Sequence, residues 1–151
     1  RSNFTFTYRV KTSLAKRTSL RSKTSPFSGG KRQRAIMKES ELRKRSKEFA
    51  VRIIGICDGM EKRSSTEILS KQVIRSATSI GANIHEANYA ASKADFINKL
   101  KIALKECFET EYWLEMLEAT GKIPEAAYRE LFLECGIIRK MLVKSINTAS
   151  Q

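Results

Sequence analysis

The sequence has little that breaks a helix and little that staples a fold. Of its 151 residues only 2 are Pro and 7 are Gly, so long helices can run without interruption. The three cysteines, Cys57, Cys107 and Cys135, are far apart and odd in number, which argues against a disulfide framework or a zinc site. Each falls among apolar residues at helical spacing, as a small buried hydrophobe does in a reducing cytosol. No run reaches the roughly 18 to 20 uninterrupted apolar residues of a membrane span. His85 is the sole histidine. A zincin helix needs a second His four residues on, where Tyr89 stands. A di-iron bundle needs two Glu-x-x-His pairs, and Ala82 occupies the position three before His85. The reading is therefore no metal and no cofactor. There is no nucleophile elbow, and Thr78–Asn83, with one glycine, is not a phosphate-cradling loop. An enzyme would need a concave pocket joining groups such as Arg75, Asn83 and Glu86 to a substrate.

What the sequence does have is positive charge, unevenly spread. The formal net charge is +13. Residues 1–36 carry ten Lys or Arg and no Asp or Glu, while the remaining 115 hold 19 basic and 16 acidic residues, a net of +3. Strong basicity is thus a property of a Ser/Thr-rich tail that shows no sustained periodicity and reads as disordered. Three readings fit it: an upstream segment foreign to the natural protein, a basic arm for nucleic-acid phosphates, or a transit peptide. Asn3-Phe4-Thr5 matches a glycosylation acceptor, a pattern common by chance. Met37-Lys38-Glu39-Ser40 reads as an ordinary protein start, so the folded domain is expected over residues 37–151.

From there the pattern is helical. Phe49, Ile53, Ile56 and Met60 give an apolar face to a first helix from about Ser40 to Glu61, with a turn at Arg63-Ser64-Ser65. Val73, Ala77, Ile80, Ile84, Ala87 and Ala91 form a nearly strict seven-residue repeat, predicting a second helix that reaches about Ala91. Gly81 in its middle costs about 1 kcal/mol against Ala, which predicts close approach of another backbone. Ser92 followed by Asp95 echoes a capping box before Phe96, Leu100, Ala103, Cys107, Thr110, Leu114 and Leu117. Gly121 is a stop signal and Pro124 a first-turn residue. Tyr128, Leu131, Cys135, Ile138 and Leu142 then face a fourth helix ending near Ile146. The simplest packing is an all-α, antiparallel up-down four-helix bundle. Ile74, Ile97, Ile102, Phe108 and Trp113 lie off these stripes and either widen the inner face or form a subunit interface; oligomerisation is the favoured reading.

A polar stripe runs beside the second helix's seam: Arg75, Ser79, Asn83 and Glu86. Arg75 and Glu86 are too far apart to pair within the helix and are expected to reach Glu106, Glu109 or Lys105 on the third. The stripe is either a hydrogen-bond network fixing register or subunit geometry, or a site for a polar ligand or RNA. Phosphate contacts, if RNA is bound, are expected from Arg43, Lys44, Arg45 and Lys47 on the first helix and Lys99, Lys101 and Lys105 on the third. The same lysines and arginines also read as ordinary solvated helix charges.

Several segments together carry a resemblance. Leu42–Ala50, the run Arg75-Ser76-Ala77-Thr78-Ser79-Ile80-Gly81-Ala82-Asn83-Ile84-His85-Glu86-Ala87, Ser92–Phe96, Ile102–Glu106, Glu109 and Tyr112-Trp113-Leu114 are similar to a bacterial family. It is the four-helix bundle proteins encoded in intervening sequences of 23S ribosomal RNA genes, and the likeness spans about Met37 to Ile146. The resemblance implies an up-down bundle and a ring-shaped homopentamer, and the residues themselves read as those of a non-catalytic, cytoplasmic protein. It implies likeness in fold to the accessory protein of diversity-generating retroelements, a pentamer that works with a reverse transcriptase and RNA. Structured RNA or an RNA-processing protein, reverse-transcriptase-like by that analogy, is then the expected partner. The alternative is a protein-interaction scaffold that binds no nucleic acid; a basic face would favour the first and an exposed apolar groove the second.

Overall fold

A computed structural model describes residues 40–61 and 63–151, and among them the regular structure is four α-helices with no strand. The basic tail at 1–36 and the expected start at Met37 lie outside the described residues. The helices are α1 (Glu41–Asp58), α2 (Ser64–Ala87), α3 (Lys93–Ala119) and α4 (Glu125–Ser150). α1 starts where the Ser40 hydroxyl accepts a hydrogen bond from the Arg43 amide at 3.3 Å, satisfying one of the donors a helix start leaves open.

The link between α2 and α3 is longer than the heptad pattern predicts. The repeat continues to Ala91, but α2 ends at Ala87. Its last turns tighten: the amides of Asn88, Tyr89 and Ala90 donate to carbonyls three residues back, and the Asn88 side-chain amide donates to the Ile84 carbonyl at 3.2 Å. Ala91 is claimed by the next helix instead. Its amide donates to the Asp95 carboxylate at 3.1 Å, while the Asp95 amide donates to the Ser92 hydroxyl at 3.1 Å. This reciprocal cap starts α3 and halts α2. At the other end Gly121 takes φ +65°, which lets the Lys122 amide donate back to the Leu117 carbonyl at 2.8 Å and closes α3. Pro124 stands just before α4 rather than inside it, and α4 runs past Ile146 to Ser150.

Cross-helix contacts fix an antiparallel up-down order. Glu86 meets Lys99 and Ser76 meets Thr110 between α2 and α3. Cys135 reaches the Cys107 carbonyl between α3 and α4, and Arg52 pairs with Glu130 between α1 and α4. α1 therefore touches α2 and α4, whereas α1 and α3 lie on a diagonal. The predicted seam is the core: Phe49, Ile53, Val73, Ala77, Ile80, Ala103, Cys107, Leu114, Leu131, Cys135, Ile138 and Leu142 are all at most 1% exposed. Of the off-stripe residues, Ile74, Ile97 and Trp113 pack partly buried against this core, while Phe108 is exposed. Thr110 is fully buried; its hydroxyl lies 2.9 Å from that of Ser76, and each also reaches a carbonyl of its own helix. Both polar groups are thereby satisfied at no cost of an orphaned donor.

Gly81 faces α1 as the sequence predicts, against Ser46. A β-carbon at Gly81 would lie 3.7 Å from the Ser46 hydroxyl and 3.9 Å from its carbonyl oxygen, ordinary contact distances. The close approach therefore admits a methyl group. Gly81→Ala is expected to raise stability by about 0.5 to 1 kcal/mol, read as a higher denaturation midpoint at unchanged slope. A loss of stability would mean that α1 and α2 pack more tightly than this geometry.

Candidate functional site

The polar stripe on α2 resolves into three separate arrangements. The Arg75 guanidinium donates to the Glu109 carboxylate, which also accepts from the Trp113 indole at 3.2 Å. About three turns away along α2, Glu86 pairs with Lys99 at 2.6 Å, not with Lys105 or an acid of α3. Between them Asn83 donates to the Ser79 carbonyl at 2.9 Å within α2, and neither side chain bonds across to α3. The expected single network is thus divided. Antiparallel register sets residue 75 opposite 109 and residue 86 opposite 99, too far apart along the axis for one hydrogen-bonded chain.

Glu106 is the unsatisfied member. Its Oε2 is buried and has no hydrogen-bond partner. Burial chiefly, and then the neighbouring Glu109 carboxylate, push its pKa above the ordinary range, against the pull of Arg75 and Lys105. Lys99 is shifted up as well, mainly by its bond to Glu86. A carboxylate whose folded pKa is raised is ionised at a cost to the fold. That cost is absent below the unfolded pKa, grows as pH rises to the folded pKa, and is full above it. Glu106→Gln should therefore raise the melting temperature at pH 7. The gain should shrink to nothing below about pH 4, where both folded and unfolded chains hold the protonated acid. A pH-independent difference would show that the carboxylate's charge is not the source.

The seven basic candidates do not make one patch around the circumference. Lys44 approaches Glu48 at 4.0 Å, Arg45 approaches Glu41 and Glu134 at 3.4 Å each, and Lys99 is held by Glu86. Lys47, Lys101 and Lys105 are exposed and Arg43 is half-buried. The first-helix set and the third-helix set lie on diagonal helices. They nonetheless share one end of the bundle, because α1 and α3 both start there.

That shared end defines a polarity that the linear sequence conceals. Segments 40–49, 76–106 and 138–151 occupy one half of the bundle and hold eleven Lys or Arg against five Asp or Glu, a net +6. The other half, 50–61, 63–75 and 107–137, holds six against ten, a net −4. Arg139, Lys140 and Lys144, missed in the sequence reading, join the basic end because α4 finishes beside the start of α1. The antiparallel topology was the signal that could have found them.

Two concavities open on α1, and neither is lined by Arg75, Asn83 or Glu86. One, against α4, is lined mainly by the ion-paired Glu41, Arg45, Arg52 and Glu134. The other is an open groove of about 450 Å³ between α1 and α2. Its floor is Ala50, Val51, Ile54, Gly81 and Ala82, with Arg43, Lys47 and His85 on its rim. Of the cysteines, Cys107 and Cys135 are buried and Cys57 half-buried, all as free thiols. The hydrogen bond to Cys107, and after it burial, raise the Cys135 pKa far above the ordinary thiol range, and burial raises that of Cys57, so neither is a ready thiolate. No described helix is long and apolar enough to cross a membrane.

The family model described as "23S rRNA-intervening sequence protein" matches residues 38–144. No curated protein matches. Among solved structures, a protein of unknown function from the S23 ribosomal protein family of Bacteroides thetaiotaomicron is similar. It has 47% sequence identity and a TM-score of 0.67, over 70% of this chain and 95% of that one.

Proposed function

This chain belongs to the 23S rRNA-intervening sequence protein family, and on that premise we propose that it is a non-catalytic, cytoplasmic bundle that binds structured RNA. The observation that carries this reading is the charge polarity. Eleven Lys or Arg converge on one end of the bundle while the other end is net acidic. A mean charge of +3 over the domain would be a weak attractant for phosphates; a local +6 is a much stronger one. Self-association into a homo-oligomer, five copies by the family resemblance, would multiply the effect by bringing several basic ends together. Exposed Val51, Ile54, Leu133 and Val143 supply apolar surface for such contacts. The free thiols suit a reducing compartment.

A second reading rests on the α1–α2 groove. Its apolar floor and three-turn length along α1 suit an amphipathic helix, in which case the protein is an interaction scaffold. An RNA-processing partner, reverse-transcriptase-like by analogy, would engage it there.

RNA binding against salt separates the two. The protein lacking residues 1–36 is expected to bind a structured RNA, with log K falling steeply against log salt. Reversing Lys101 and Lys105 to Glu should weaken binding at least tenfold at low salt. Reversing Lys122 and Arg129 at the acidic end should leave it unchanged. Binding only by the tailed form, or by neither form, would remove RNA recognition from the bundle and favour the scaffold. Light scattering would be expected to give a mass of several copies.

A further inference from the structure

From the exposed face of α3 we infer that the bundle holds unpaired nucleotides by stacking their bases on Phe108 and Tyr112. This rests on the RNA reading above and specifies which kind of RNA and which surface. Lys101, Lys105, Phe108 and Tyr112 follow one another at steps of 4, 3 and 4, so they form a single line along one face of the helix. Phe108 is 53% exposed and Tyr112 51%, an unusual outlay of aromatic surface on a helix whose other face already fills the core. Lys101 and Lys105 are exposed, and neither is held in an ion pair among the described residues. The Arg139 guanidinium stands 5.3 Å from the Phe108 ring centroid and is oriented by a 2.9 Å bond from its Nε to Glu111. Tyr112 is braced edge-on by Trp113, with ring centroids 4.9 Å apart. Trp113 is itself anchored to Glu109.

Each element of this line matches one part of a single strand. Cations at one end suit phosphates, and the exposed Tyr112 ring and the Phe108 face not covered by Arg139 suit bases, which stack on them whatever their sequence. The spacing decides between strand types. Phe108 and Tyr112 are four residues apart, a rise of about 6 Å, whereas neighbouring bases in a stacked strand are about 3.4 Å apart. Two successive bases can reach both rings only if they are splayed from each other, as in loops, bulges and ends of RNA. A duplex, with its bases stacked inward, offers these rings nothing. The surface is therefore selective for unpaired segments of a structured RNA, two or three nucleotides at a time.

The test uses the full chain and a labelled single-stranded RNA of about 12 nucleotides without self-complementarity, against the same strand annealed to its complement. Charge density alone favours the duplex, so preference for the single strand is diagnostic. Phe108→Leu and Tyr112→Leu keep the apolar bulk while removing the ring. Each should lower single-strand affinity at least about fivefold while leaving the salt slope and the oligomeric mass unchanged. Lys101→Gln and Lys105→Gln should each reduce the slope of log K on log salt by about 0.7. Equal affinity for both RNAs with unaltered Leu variants would overturn the stacking surface while the RNA reading stands. A changed oligomeric mass in the Leu variants would also overturn it, by making the line a subunit contact. Absence of binding to any RNA would overturn both.

Discussion

The packing of α2 against α3 is the constraint on which the rest of this molecule depends. Both helices present heptad-spaced seams, Val73, Ala77, Ile80 and Ile84 on one and Leu100, Ala103, Cys107 and Leu114 on the other, and all of them are buried. Small residues such as Ala77 and Ala103 let the two backbones approach, and the facing hydroxyls of Ser76 and Thr110 mark the register inside the seam. Once that register is set, Arg75 must fall opposite Glu109 and Glu86 opposite Lys99. α1 and α4 then cover the remaining apolar faces from the flanks. The ion pairs follow from this packing and are too exposed to determine it.

The fold was legible because its information is repetitive. Apolar residues recur at helical steps through all four helices, and a local stop or start, such as Ser92 with Asp95 or Gly121, marks most boundaries. The shifted end of α2 is instructive. Ala91 fits the heptad of α2, yet its amide is captured by the Asp95 side chain, and a cap outranks one more turn of an amphipathic repeat. Periodicity shows which residues face inward but not where the backbone's unsatisfied donors find partners.

The candidate site was legible only in parts. Lys101 and Lys105 could be named from the sequence, and so could the pairing of Arg75 with an acid of α3. The grouping of these residues could not. Glu86 chose Lys99 because of axial register, and register is a property of two helices packed together. Arg139, Lys140 and Lys144 lie more than 90 residues from Arg43 along the chain, and only the reversal of direction at each turn brings them to the same end. By spacing, Phe108 reads as a widening of the inner face or an interface residue, since spacing alone does not separate half-exposed from half-buried on a broad stripe.

The separation of charge along the bundle bears on how copies of the chain would stand beside one another. Two copies side by side in opposite senses bring each positive end against a negative one, an arrangement that electrostatics alone favours. Two copies in the same sense crowd like charge against like, and work must be done to hold them so. A polyanion lying across the gathered positive ends would return that work. Orientation and polyanion binding then become two faces of one equilibrium: whatever selects the same-sense arrangement must bind the polyanion more tightly, and the polyanion must in turn favour that arrangement by an equal factor.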